Sequence, residues 1–534
     1  MRAPRRHSTP GAPCRSRLAG LWLLVLTATV GTAAAADVPV YGVFELTLTA
    51  TGSYADPYAQ MPGDNTSPGF VVGTFTGPSA QTITIDGFWD GGSTWKLRMA
   101  PTEAGTWTYS TSSADPGLDG QKGSFTAVAS GSRGFIGTDP GRPHLFVWSD
   151  GSPFPMRPTS MNVHAAKKGG GLYGYGGWFD DGTFQQMVDA RAAQGFTAMN
   201  WGMILTKWGI RNGTQENEGG QPFANMDLAN PLNPAYFQAA DDRVVYALSR
   251  GLIPQFGVVW PDTLPSGWTT ERGKRLWRYV IARYAAYNVT WNLFGEGMEW
   301  GSDAVLEDWG DLTERHDPYG HPTSVHTTNR TGVQGASWVD YIIIQDYDRP
   351  DLSVADAWGF DKPVIQAEYG GYDQCDDPVY CTATEDERRI LAWKIRMRGG
   401  FPVYESWGTD LDTPDSRMYA YLHSFFDTVP WTRLEPRQDL VDRGLCLASP
   451  GESYLVHLEN GGSVALDLSA STARYQVSWH SPGDGSQIDQ PAVDGGNTIT
   501  FIAPDNGDWV LRLSADLAAP SAPGNPQAQV IPPG

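Results

Sequence analysis

From Gly134 to Val429 the sequence repeats one rhythm, a short apolar run followed by a stretch of helical periodicity. The apolar runs fall at 154–159, 198–203, 253–259, 289–294, 323–327, 341–345, 364–367 and 403–406. The intervening stretches carry helix punctuation. Asn233 and Pro234 supply a cap and a first-turn proline, Phe237, Val244, Val245 and Leu248 a buried face, and Gly251 a stop. Thr384 and Glu387 are spaced as a capping box ahead of Ile390, Leu391 and Ile395, and Gly399 and Gly400 close that helix. Strands that alternate with helices pair in parallel, and eight such units over about 290 residues predict a (β/α)8 TIM barrel, whose catalytic groups lie at the C-terminal ends of its strands.

The flanks keep a different rhythm. Around 44–50, 83–89 and 95–99, and again around 454–458, 475–479 and 509–513, apolar and polar residues alternate with period two between Gly, Pro, Asn and Asp clusters. The composition suits this, with 62 Gly, 39 Pro, 21 Trp and 22 Tyr but only 18% charged residues. The expected fold class is therefore multidomain: an N-terminal β-sandwich at 37–130, the barrel at 131–430, a C-terminal β-sandwich at 431–514, and a Pro-rich tail at 515–534.

Residues 1–36 read as a secretory signal peptide, with Arg2, Arg5, Arg6, Arg15 and Arg17 ahead of an apolar run that ends in small residues. The run is shorter than the ~20 residues a membrane span needs. This implies a secreted or periplasmic location, with no membrane attachment after the signal is removed. Losing five arginines leaves 33 basic against 59 acidic groups, so the net charge deepens from −21 to −26. Such a chain repels phosphate backbones, which argues against nucleic acid as a partner. In an oxidising compartment Cys375 and Cys381 are placed to clip a loop as a disulfide, and Cys446 is expected to be a buried thiol. No metal motif is present: His316, His321 and His326 fall at a spacing that matches no ligand geometry. The Asp-rich turn from Asp115 to Asp119 is read as solvated in preference to calcium-binding.

The chemistry centres on two carboxylates. Glu296 ends the run at 289–294 and Glu368 ends the run at 364–367, on strands four and seven, which face each other across a barrel mouth. Glycosidic hydrolysis needs one protonated carboxyl for the leaving oxygen and one carboxylate for the anomeric centre. Glu299 and Glu405 are weaker candidates. Glu405 alternates with Tyr404 and is read as structural.

This order of modules, with these two glutamates, resembles secreted bacterial apiosidase-like proteins related to clan A glycoside hydrolases. Within the N-terminal segment, 95–109 carries the resemblance most distinctly. Residues 434–513, ending in Pro504-Asp-Asn-Gly-Asp-Trp-Val-Leu511, resemble a module named for collagen binding. The resemblance implies that Glu296 is the acid/base and Glu368 the nucleophile of a retaining enzyme, with the two carboxyls about 5–5.5 Å apart. The chain departs from the clan pattern at Gly295, where many members carry Asn.

Other strand ends supply candidate sugar contacts: Asn162 and His164 after strand one, Asn200 and Trp201 on strand two, Trp260 after strand three, and His326 on strand five. Gln345 and Tyr347 end strand six, and Tyr404 and Trp407 flank strand eight. Aromatic faces stack on sugar C–H surfaces, while amides and imidazoles sort hydroxyls by donor and acceptor geometry. The function expected is hydrolysis of O-glycosidic bonds in a neutral plant or microbial polysaccharide or its oligosaccharides, without a cofactor. A noncatalytic carbohydrate-binding or matrix-adhesion protein on a decayed barrel and a polysaccharide lyase are the alternatives.

Overall fold

The computed structural model describes residues 26–28, 37–160, 181–205, 216–259, 264–296, 302–327, 332–374, 381–406 and 410–516, with 26–28, 160, 181–183, 201–205 and 258–259 described by backbone alone. In the central region eight parallel segments pair in chain order. Pro158–Ser160, Ala198–Leu205, Ile253–Val259 and Thr290–Asn292 lie side by side, then Thr323–Ser324. His326–Thr327, Ile342–Gln345, Val364–Glu368 and Phe401–Pro402 form a second sheet, and Tyr404–Glu405 pairs back onto Pro158–Ser160. Each sheet therefore holds half of the segment broken at Val325 and half of the one broken at Val403.

Alternation along these strands sorts the side chains into clusters. Ala198, Ile253, Ile343, Ile365, Phe401 and Val403 share one interior cluster. Met199, Phe256, Trp291 and Val325 pack in a second cluster, and Ile342, Ile344, Val364 and Tyr404 in a third, each against helices. The predicted first strand at 154–159 joins two elements: Pro153–Phe154 belongs to a small antiparallel sheet with Arg142–Trp148. That sheet sends Phe146 and Phe154 into the interior cluster, where Phe146 meets Tyr341 and Phe401 edge-on at 5.4 and 5.9 Å.

The helices begin where their caps predict. Asn233 accepts from the Ala235 amide to open Pro234–Ser249, and Thr384 and Glu387 form a reciprocal capping box at Glu385–Met397. After the fifth strand the described residues hold a 3-10 turn, Gly332–Gly335, in place of a helix.

On the N-terminal side, Phe44–Thr49, Phe88–Gly91 and Thr94–Met99 form one sheet with Leu26–Ala28. Asp37–Pro39, Val71–Thr76, Thr82–Asp86, Gly105–Ser113 and Lys122–Val128 form another. Phe44 of the first stacks on Phe125 of the second at 4.2 Å. The single strand expected at 83–89 is two, one in each sheet. The chain crosses at Gly87, where a Cβ would sit 2.5 Å from Val71 Cγ1, so only glycine fits the corner. The Asp115 carboxylate is committed to its own loop, which it clips by accepting from the Thr51, Gly52 and Gly117 amides and the Tyr54 hydroxyl.

On the C-terminal side, Ser453–Leu458, Arg474–His480 and Trp509–Ala515 lie at the positions expected, in a six-stranded sheet. The strands Ser463–Asp467 and Thr498–Ile502 form a separate antiparallel pair. Leu447, Leu455 and Val510 of the large sheet pack with Trp393, Phe425 and Phe426 of the helices.

Candidate active site

Glu368 lies at the end of Val364–Glu368, and its position depends on a local irregularity. Ile365 and Ala367 point into the interior cluster, so strict alternation would turn residue 368 outward. The register against the sixth strand shifts there: Ile344 pairs with Gln366, but Gln345 pairs with Glu368. One extra residue on a bulged strand re-aims the next side chain, a device common beside active sites. Glu368 thereby shares the face of Gln345.

The carboxylate is buried and held at one oxygen. The Tyr347 hydroxyl donates to Glu368 Oε2 at 2.6 Å, and the Tyr372 hydroxyl donates to the same atom. Burial, and then the Glu368 charge, push both phenols above their ordinary values, so each remains a donor at any working pH. The other oxygen, Oε1, lies 4.0 Å from His326 Nε2. His326 is fully buried on the interior face. Its amide donates to the Asn292 side chain at 2.9 Å, which ties the fifth strand to the fourth. Burial lowers its imidazole below the ordinary value, against opposing pulls from Glu368 and Gln345. A neutral ring offers one donor and one acceptor.

Glu296 stands just past Thr290–Asn292 with φ at 48°, in the left-handed region that a non-glycine residue rarely adopts. Its Oε1 accepts from Gln345 Nε2 at 3.2 Å. Gln345 is thus the neighbour of both carboxylates, hydrogen-bonded to Glu296 and in register with Glu368. Strained backbone of this kind clusters where function over-determines it.

Of the residues named from sequence, Glu296, Glu368, His326, Gln345 and Tyr347 come together here. Asn200 lies on the second strand with its Oδ1 buried and without a partner among the described residues. Trp201 is its neighbour in the same strand. Asn162, His164, Trp260, Trp407 and Glu299 fall outside the described residues.

Tyr404 is a correction. It packs with Phe196 and Tyr419 in the outer layer, donates its hydroxyl to Asp373 at 2.6 Å, and lies under the Arg191 guanidinium at 4.6 Å. A phenol whose hydroxyl finds a buried carboxylate among aromatics belongs to the packing behind the strand, not to the cleft. Glu405 takes the opposite face.

Tyr372 was not singled out by sequence. It sits four residues beyond Glu368, across Gly370 and Gly371 at φ 64° and 90°, a turn that folds the chain back over its own carboxylate. That glycine pair with an aromatic directly after it is the signal that could have found it. The loop beyond holds Cys381, which is disulfide-bonded. Cys375 lies outside the described residues, and Cys446 is free and buried. No group of three or more His, Cys, Asp or Glu among the described residues is arranged to hold a metal ion.

Residues 179–401, which span the second strand through the start of the eighth, match the model of the apiosidase-like catalytic domain. The chain is similar to the apiosidase-like catalytic domain over those residues. Ahead of it, residues 37–114 match DUF5060, a domain of unknown function. Among solved structures, a Bacteroides vulgatus protein provisionally named a glycoside hydrolase superposes with a TM-score of 0.70 at 20% identity, covering 90% of this chain and 99% of its own. A family 5 glycoside hydrolase from the same species gives 0.56 at 18%, covering 72% of this chain and 94% of its own. Another glycoside hydrolase gives 0.58 at 16%, with 72% and 98% covered. At these identities the likeness is one of fold. No curated protein matches the sequence. The apiosidase-like match supports glycoside hydrolase activity. No helix among the described residues is long and apolar enough to cross a membrane.

Proposed function

We propose that the protein is a secreted retaining glycoside hydrolase that cleaves O-glycosidic bonds in a neutral polysaccharide or its oligosaccharides, on a (β/α)8 barrel between two β-sandwiches. The closed order of parallel pairings supports the barrel, and the facing sheets on either side support the sandwiches. The observation that carries the chemistry is the double donation of Tyr347 and Tyr372 to Glu368 Oε2. Two donors on one oxygen fix the orientation of the carboxylate, which leaves Oε1 as the attacking atom.

In the first step Glu368 Oε1 bonds to the anomeric carbon as the glycosidic C–O bond breaks, and the leaving oxygen takes its proton from Glu296. In the second, water gives a proton to Glu296 while its oxygen bonds to the anomeric carbon and releases the Glu368 carboxylate. Two inversions retain configuration. The hydrogen bond from Gln345 orients Glu296 toward the shared space.

The test is a screen of neutral polysaccharides and 4-nitrophenyl glycosides with the mature protein and its Glu296→Gln and Glu368→Gln forms. Product anomers are read by proton NMR. Each substitution is expected to lower kcat by about 10²–10⁴-fold, and the first-formed product should keep the substrate's configuration. Hydrolysis that survives both substitutions, or inverted product, sinks the assignment. Unsaturated products would mark a lyase, and binding without any product an adhesion protein.

A further inference from the structure

The eighth strand carries a carboxylate to which the two-glutamate mechanism gives no work. Phe401 and Val403 lie in the interior cluster and Tyr404 in the outer one, so alternation turns Glu405 inward. Register agrees. Ser160 of the first strand pairs with Asn200 on one side and with Glu405 on the other, and partners in register across parallel strands share a face. Glu405 therefore faces the same space as Asn200, whose Oδ1 is buried without a partner among the described residues. The Glu405 charge acts on the Tyr347 and Tyr372 phenols that bond Glu368, and also on Tyr369 and Tyr419 behind the strand, so the inward placement rests on alternation and register. Glu405 is half-buried and ends the strand that neighbours the one ending in Glu368.

A carboxylate in such a place accepts hydrogen bonds and donates none, and its two oxygens match two adjacent hydroxyls. It also repels any acidic group brought beside it. We propose that Glu405 is a specificity-determining residue that binds a pair of neighbouring hydroxyls on the sugar next to the scissile bond, with Asn200 as a further acceptor, and that excludes sugars bearing a carboxylate there. This rests on the glycoside hydrolase reading and narrows its substrate class to glycones that are neutral and carry a vicinal diol.

The probes are the best neutral 4-nitrophenyl glycoside from the screen, the matching free sugar, and the corresponding uronic acid as competing ligands. For wild type the uronic acid should inhibit at least about tenfold more weakly than the neutral sugar. Glu405→Gln should lower kcat/KM by about 10- to 100-fold, mostly through KM, and should narrow that gap. Glu405→Ala should lose more, with an unchanged thermal midpoint in both variants. Unaltered kcat/KM in Glu405→Gln while Glu368→Gln is inactive overturns this proposal and leaves the hydrolase reading standing. Equal inhibition of wild type by the uronic and neutral sugars overturns it without recourse to any variant. A wild type inactive on every glycan in the screen brings down the hydrolase reading, and this proposal with it.

Discussion

Tyr372 shows what one hydroxyl does at this site. It shares Glu368 Oε2 with Tyr347, so its loss removes half of the anchoring on that oxygen while leaving the ring in place. Tyr372→Phe is expected to lower kcat by about tenfold or more with KM changed little, because the hydrogen bond acts through the carboxylate and not on the sugar. Steady-state kinetics on the screened glycoside check this, and a change confined to KM would refute it. The strand-end positions of the two carboxylates are legible in the sequence, because each follows an apolar run. Tyr372 and Glu405 are not. The first reaches the site only through the Gly370–Gly371 turn, and the second is told from Tyr404 only by which face of a two-residue strand each occupies. The positive φ of Glu296 was equally hidden, although Gly295 directly before it marks a place where the backbone departs from the strand.

At the scale of elements, sequence predicts strands and helices where local rules decide the outcome. Caps are such rules, since they depend on three or four neighbouring residues. The Thr384–Glu387 box illustrates it: the Thr384 hydroxyl accepts from the Glu387 amide, and the Glu387 carboxylate accepts from the Thr384 amide at 2.8 Å. Thr384→Ala should therefore cost about 1 kcal/mol, which lowers the thermal midpoint by about 2–4 °C for a domain of this size. Scanning calorimetry measures it, and an unchanged midpoint would show that the helix is held by packing alone. Sequence rules fail where the deciding neighbour is distant. The bulge that swings Glu368 inward is defined by register against the sixth strand, and the corner at Gly87 by the side chain of Val71. A period-two pattern carries neither fact, so it joined 83–89 into one strand and offered no reason for Glu368 to share a face with Gln345.

At the scale of the whole molecule, charges that the composition only counts are arranged into a joint. The N-terminal sheet contributes Glu45, Asp90, Lys96 and Arg98, and the helices behind the second and third central strands contribute Asp241 and Arg283. Arg98 and Arg283 reach Asp241 at 2.6 and 2.7 Å, Arg283 reaches Asp90 at 2.9 Å, and Arg98 reaches Glu45 at 2.8 Å. Burial alone would raise the Asp241 carboxyl, but Arg283 and then Arg98 overcome this and hold it well below the usual carboxylate range. A carboxyl lowered by folding adds stability that is complete above its unfolded value, near pH 4, and is lost as pH falls toward the folded one. The contact between sheet and helices should then weaken on the acid side of about pH 4 while the neutral range stays flat. Arg283→Met removes one of the two cations that hold Asp241 and leaves Asp90 short of a partner, so it should cost about 3–5 kcal/mol at pH 7. It should also flatten the acid-side loss, because the folded value of Asp241 moves back toward the unfolded one. Hydrogen exchange across 88–99 and 234–249, measured from pH 7 to pH 3 in both proteins, reads the two effects together. If wild type and variant lose protection along the same pH curve, the buried joint does not set the acid stability of this contact.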